Sequence, residues 1–560
     1  MTNADIPSVD LNQESPFSTK PASKIPAWFE SAENWLARAS EWLNPILVKE
    51  ARQALKSRQF IVTFTLLLVF GWGWSLVGVA LLSPGVSYAP GGRTMLTGYT
   101  LILLVPMLVI VPFSAFRSLA AEREDGTYEL LSITTLNARQ IVTGKLGSSV
   151  LQMTVYYSAL APCIAFTYLL RGIDILTIVL ILFYVFLISI LLSALGLLVA
   201  TISRSRHWQV LLSVSLVIAL CAVDFIGSWI AGMTIWAGAA MEFDNFYFWI
   251  IQAAVLTFYA TYMTLFVWGA AAQISFASDN RSTKLRVILL VWQALWVFWM
   301  TYAWLESQDI ELLYPTMVIA GIQWYAAGAL MSGEAGQLSP RVRRTLPQSF
   351  FGRSLRTWFN PGAGTGYVFV VLNIWSLAIF VVAAAVAGEM SGQAGGNQIF
   401  EIITVASMTA AYVTAFLSVG HLMVLFLRQF IFTGLILPLL IHVILAALGA
   451  FTPLVIGGWI QGFSDLDYTP LQVTNWAWTL IEAGEGDLWS EPFVPIAVYS
   501  FAGVMALVNL LLAMHEVEQV RSQTPLRVVE DEIQLHPEKA VQPHRPASPW
   551  DDEPVEGVRG

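Results

Sequence analysis

Charge is what this sequence has least of. Of its 560 residues, 12% are Asp, Glu, Lys or Arg, where soluble domains typically carry roughly 25%. So few polar groups cannot cover a water-facing surface of this size, which excludes a soluble globular protein. Cysteine is nearly absent: Cys163 and Cys221 are the two in the chain. Both fall in apolar stretches, so neither a disulfide framework nor a zinc spacing is available, and two buried thiols are expected. Residues 1–26 lack the apolar run of a signal peptide and are instead polar, with Pro, Ser, Thr, Asn and Asp throughout. The nucleotide-binding pattern Gly-x-x-x-x-Gly-Lys-[Ser/Thr] is missing as well. Gly144-Lys145-Leu146 lacks the upstream glycine and the hydroxyl that would meet magnesium. The expectation is a chain that is not an enzyme, with no catalytic residue, no metal and no cofactor of its own. The net charge of −9 gives no basic footprint for nucleic acid.

Long apolar runs are what the chain does have. Hydrophobic residues make up 56% of it, and mean hydropathy is +0.65. Stretches of about 20 apolar residues recur, each long enough for a hydrocarbon core of roughly 30 Å. Spans are read at Phe60–Leu82, Thr97–Phe116, Leu146–Leu170, Ile175–Ile202, Gln209–Ile230 and Phe246–Ala271. Six more follow at Val287–Leu305, Leu312–Met331, Tyr367–Ala387, Ile402–Leu427, Phe432–Trp459 and Phe493–Met514. The expected fold is an all-α, polytopic integral membrane helix bundle of about 12 transmembrane helices.

The connecting segments test that count. With the first segment inside, the inner segments hold Lys49, Arg52, Lys56, Arg58, Arg117, Arg123, Arg139, Lys145, Arg204 and Arg206. Further along they hold Arg281, Lys284, Arg286, Arg341, Arg343, Arg344, Arg353, Arg356 and Arg428. Of 29 Lys and Arg, the outer segments hold only Arg93 and Arg171, beside Glu242, Asp244, Glu306, Asp309, Glu389, Asp465, Asp467, Glu485 and Asp487. One span more or fewer would scramble this asymmetry. Both termini are therefore expected in the cytoplasm, and the protein in the cytoplasmic (inner) membrane.

The resulting organisation is a polar segment 1–25, interfacial helices 26–58, a six-span unit 59–275 with a cytoplasmic loop 117–145, spans seven and eight with a basic loop in 276–366, spans nine to twelve in 367–514, and a disordered tail 515–560. Within Pro26–Leu43, Trp28, Trp35 and Trp42 recur every seven residues beside Phe29, Leu36 and Leu43. On a helix they form one stripe, suited to the headgroup boundary where an indole N–H stays wet. A shorter candidate lies at Arg353–Phe359. Trp42-Leu43-Asn44-Pro45 is echoed by Trp358-Phe359-Asn360-Pro361, each just before a span, as a diverged duplication would leave them. Pro106 and Pro112 remove backbone donors from the second span and are expected to kink it.

The inner loop after the second span carries the most chemistry. It runs Glu122-Arg123-Glu124-Asp125-Gly126-Thr127-Tyr128-Glu129-Leu130-Leu131-Ser132-Ile133, then Asn137-Ala138-Arg139-Gln140-Ile141-Val142-Thr143-Gly144-Lys145. Gly126 permits a sharp corner after the charges. Glu129 favours the positive end of the following helix. Leu130, Leu131 and Ile133 form an apolar edge flanked by charge, a docking knob for a soluble partner. Asn137 and Gln140 read as N-cap and capping box for the helix into span three.

This loop resembles that of the permease subunits of type-2 ABC exporters, and so does the basic lead-in Asn44–Arg58. The resemblance spans roughly residues 25–275; the remaining half lacks a second Glu-x-x-Gly-Thr loop. It implies that Pro26–Arg58 is an interfacial connecting helix. It also implies that Glu122, Arg123, Glu124, Gly126, Thr127, Glu129, Leu130 and Leu131 belong to the element touching a separate ABC ATPase subunit. Partners would then be that ATPase, the lipid bilayer, and a second permease chain or a second copy of this one. Two rival classes make other demands. An ion-coupled secondary transporter would use intramembrane Asp224, His421 or His442, of which His442 alone is expected near mid-membrane. A membrane enzyme acting on lipid-linked substrates would use Asp465 and Asp467 beside Trp476 and Trp478.

Overall fold

A chain in hydrocarbon must satisfy its backbone polar groups internally, and a helix does so within one segment. The computed structural model accordingly shows helices and no strand among the described residues. Those residues are 44–82, 90–124, 137–202, 205–237, 243–276, 279–334, 356–392, 396–431, 434–463, 467–522 and 534–535. Trp28, Trp35, Trp42, Gly126, Thr127, Glu129, Leu130 and Leu131 lie outside them.

The helices are α1 (Pro45–Leu55), α2 (Arg58–Leu82), α3 (Gly92–Glu124), α4 (Ala138–Leu169), α5 (Ile175–Ile202), α6 (Arg206–Ala237) and α7 (Phe246–Ile274). They continue with α8 (Thr283–Ser307), α9 (Leu313–Met331), α10 (Ala363–Met390), α11 (Gly396–Leu427), α12 (Ile436–Gln461), α13 (Trp476–Glu485) and α14 (Phe493–Ser522). Eleven of them are long and apolar enough to cross a membrane. Their outward faces carry Trp72, Phe225 and Trp459, which are 67%, 77% and 82% exposed. Large apolar patches of this kind suit lipid and not water, and the molecule is a multi-pass membrane protein.

The remaining expected span, α9, is a 19-residue helix made less apolar by Pro315, Gln323 and Tyr325. It faces protein: Ala320, Gly321, Trp324, Ala327 and Gly328 are buried, so it needs less lipid-compatible surface than its neighbours.

Three helices form the interior. The apolar stretches of α3 and α11 are each 61% buried and that of α10 is 56% buried, whereas α6 and α7 reach 11%. Helix ends overrun the expected spans. The clearest case is α14, which was expected to give way to a disordered tail at 515 but continues to Ser522. Glu516 explains the extension, because its carboxylate accepts from the Gly364 N–H at 2.7 Å and ties the last turns to α10. Likewise, Arg353–Phe359 was expected on the bilayer surface. Its described part is held to the bundle: the Trp358 carbonyl accepts from Arg286 at 2.6 Å, and Phe359 meets the Phe369 ring.

Candidate functional site at the inner end of the bundle

The connections predicted to lie inside converge on one end of the bundle. Arg123 at the end of α3 donates to the Thr201 carbonyl at the end of α5, 2.8 Å away. Arg139 of α4 and Lys284 of α8 flank the Trp268 ring of α7, at 5.2 and 4.1 Å. Arg93, on an outer segment, bonds instead to the Gly172 carbonyl at 2.8 Å.

At this inner end, α1 is laid across the start of α4. Asn44 caps α1 through the Ile46 N–H at 3.1 Å, and its amide donates to the Gln140 carbonyl at 2.5 Å. Pro45 occupies the first helical position, where its missing donor costs nothing. The approach is close enough that a Cβ on Gly144 would meet Ile46 at 2.9 Å and one on Gly147 would meet Leu47 at 2.8 Å. Gln140 accepts from the Asn137 N–H at 2.9 Å, so the expected capping box forms.

One side chain locks three elements together there. Lys145, 1% exposed, sits 3.2 Å from Glu50 of α1 and 3.0 Å from Glu122 of α3. It also donates to the Ser118 carbonyl at 3.3 Å. Two carboxylates around one buried ammonium leave a net negative cluster, which Lys49 completes from the rim at 3.4 Å from Glu122 and 3.5 Å from Glu50. Burial pulls the Lys49 pKa down, but Glu122 and Glu50 outweigh that and hold it above the ordinary lysine range. Glu124 is exposed at the end of α3.

In the second span, Pro106 and Pro112 frame a break of a particular kind. Val105–Ile110 is a π-helical segment, a form of local irregularity frequent at functional sites. Its bonds run five residues back, as from the Val111 N–H to the Pro106 carbonyl. The next donor in that register would be residue 112, which is proline and has none. Ser189 of α5, wholly buried, fills the gap with its hydroxyl on the Met107 carbonyl.

The rival sites are less suited to their tasks. His442 lies six residues inside α12, which starts at 436, about 9 Å along the helix from its start. Its Nδ1 meets the Pro438 carbonyl at 2.7 Å, and its ring fills the space a side chain at Gly420 would need. His421 stacks on Tyr367 and bonds Asn509 at 2.7 Å. Both rings are buried and packed, each bonded through Nδ1. Asp224 stands about halfway along α6, half-buried, with Oδ1 unpartnered. Asp465 lies outside the described residues, and the Asp467 N–H bonds Gln461 at 3.0 Å. The following segment is no plain loop, as α13 packs against α11 and its Leu480 and Ala483 are buried.

Sequence reasoning missed a second polar cluster at the same end. Arg286 of α8, 0% exposed, bonds Glu334 at 2.6 Å, the Trp358 carbonyl at 2.6 Å, and both Thr365 and the Gly362 carbonyl at 3.2 Å. Arg428 of the segment after α11 donates to the Ser332 and Glu334 carbonyls at 2.8 and 3.0 Å. Burial lowers its pKa, against Glu516 and Glu334, which raise it. The signal was present: Glu334 and Glu516 are acids in a region otherwise selected for positive charge. Arg286 and Lys145 had been weighed only as markers of sidedness.

Toward the opposite end of the bundle, a mostly apolar crevice of about 460 Å³ opens between α2, α3 and α4, lined by Ser75, Leu76, Val79, Tyr99, Pro162, Cys163 and Phe166. No family model, curated protein or solved structure matches the chain.

Proposed function

We propose that this protein is the membrane permease subunit of an ATP-driven exporter of the type-2 ABC class, powered by a separate ATPase subunit that docks at the inner end of the bundle. The observation that carries the reading is the Lys145 cluster. The lead-in helix and the loop after span two are far apart in sequence, and they are the two segments that resemble type-2 permeases. Lys145 joins them through Glu50 and Glu122 at 3.2 and 3.0 Å. A push on the 125–136 loop would therefore move α1, α3 and α4 together, and α3 carries the π segment that could absorb the motion. The excess of Lys and Arg at this end supports a cytoplasmic orientation for it and for both termini, in the cytoplasmic membrane. The apolar lining of the outer crevice supports a lipid-like or hydrophobic cargo.

The test is co-purification of the tagged chain from its native membrane, beside a Leu130→Asp/Leu131→Asp variant. A Walker-motif ATPase should come down with wild type and be depleted with the variant. Absence of any ATPase from wild type would overturn the reading, and undiminished recovery with the variant would remove the loop from the interface.

A further inference from the structure

The second half of the chain repeats the first in its packing. In α2–α7 the second helix, α3, packs on the first, third, fourth and fifth, while the fourth, α5, also packs on the third, fifth and sixth. The third, α4, reaches the first and the sixth. Take α8, α9, α10, α11, α12 and α14 as a second set of six. Then α9 packs on α8, α10, α11 and α12, and α11 also packs on α10, α12 and α14. Helix α10 reaches α14, and meets α8 where Gln293 bonds Ser376 at 2.9 Å. Every pair of the first set thus has its counterpart.

The inner ends match in chemistry too. In each set an acid at or just past the end of the second helix is pinned to a buried cation near the start of the third, Glu122 to Lys145 at 3.0 Å and Glu334 to Arg286 at 2.6 Å, although Lys145 comes from the third helix and Arg286 from the first. An Asn-Pro step sits at that place in both sets, by different chain routes. Asn44–Pro45 is laid on the first turns of α4, whereas Asn360–Pro361 runs directly into α10. The two sets abut through α7, whose Thr257 accepts from Trp299 of α8 at 2.9 Å and whose Tyr262 donates to Gln323 of α9 at 3.1 Å.

We infer that α8–α14 is a second permease unit equivalent to α2–α7, so that one copy of this chain supplies both halves of the membrane path and binds two copies of the ATPase, one at each acid–cation pin. This rests on the permease reading above. It removes the need for a second permease chain. Two equivalent ends of one molecule take two equivalent partners.

The test uses the full chain in its native membrane, expressed in two differently tagged forms and purified through one tag into lipid nanodiscs. Native mass spectrometry should find one copy of the chain with two of the ATPase, and none of the second tag. With Leu130→Asp/Leu131→Asp the ATPase count should fall from two to one, because the second end is intact. Recovery of the second tag in equal amount would overturn the inference, as would one ATPase per wild-type chain or a fall from two to zero in the variant. If no ATPase comes down at all, the permease reading fails and this inference fails with it, a result distinct from the other three.

Discussion

The two sets of six helices share a packing plan and differ in what lies at their centres. In the first, the most enclosed helix is α3, which is interrupted by the π segment between Pro106 and Pro112. In the second it is α11, an unbroken helix of 32 residues whose buried face includes the small residues Ala406, Ala410, Ala411, Ala415, Ser418 and Gly420. Small residues let helix backbones approach closely where no hydrophobic drive separates protein from lipid. The second set is also cross-tied by Arg286, with four acceptors, and capped on its outer side by α13. The first set has an ammonium with three acceptors at its inner end and, among the described residues, no such cap. The same architecture thus yields one half built to yield and one built to hold.

The largest effects should come from the two cations. Arg286→Met leaves the Glu334 carboxylate without its cation and the Trp358 carbonyl without its donor, and Lys145→Met leaves Glu50 beside Glu122. Breaking a buried pair from one side costs about 3–5 kcal/mol, and Arg286→Met should lie at the upper end. Thermal unfolding of the purified variants in detergent would measure both; a smaller loss for Arg286→Met would break the comparison.

Next is Ser189→Ala, which leaves the buried Met107 carbonyl without a donor, at about 1–3 kcal/mol. In a Pro112→Ala background the restored N–H should supply that bond. The Ser189→Ala penalty should then shrink, and a double-mutant cycle would read the coupling. Additive losses would mean the hydroxyl does not stand in for the missing amide.

Pro106→Ala with Pro112→Ala should raise the melting temperature modestly while slowing ATP-driven transport in proteoliposomes, because a regular α3 resists bending. Unchanged transport would count against α3 as the yielding element.

The smallest effect belongs to Lys49→Met. Lys49 is 58% exposed, and exposed pairs are worth about 0–1 kcal/mol. Its pKa is raised in the folded state, so its contribution is complete at neutral pH and disappears as pH rises through that raised value. Melting temperatures of wild type and Lys49→Met should therefore differ slightly at neutral pH and converge at strongly alkaline pH.

Membrane crossings were legible because about 20 apolar residues in a row have few other solutions, and the capping box at Asn137 because its geometry is local. What was hidden depends on contacts between distant segments. Nothing in the composition of α3 or α11 says that they, and not α6, are enclosed. The π segment needed both prolines and the partner hydroxyl of Ser189, which is 82 residues from Met107. Lys145 and Arg286 looked like any other inner-side cation, since a sidedness argument counts charges without asking which are buried. The Asn-Pro echo hints at a repeat, but the sequence hides which helices correspond, because those marks precede the first helix in one set and the third in the other.

The Lys145 cluster also sets an order of events during synthesis. Glu50 and Glu122 leave the ribosome before Lys145 does, so their shared buried cation arrives only with α4. Until then α1 has no seat, because Gly144 and Gly147 are part of that seat. The lead-in helix therefore stays undocked through insertion of the first two spans and closes onto the bundle only once the third is under way. Closure of this end then marks a nascent chain whose first three crossings are in register.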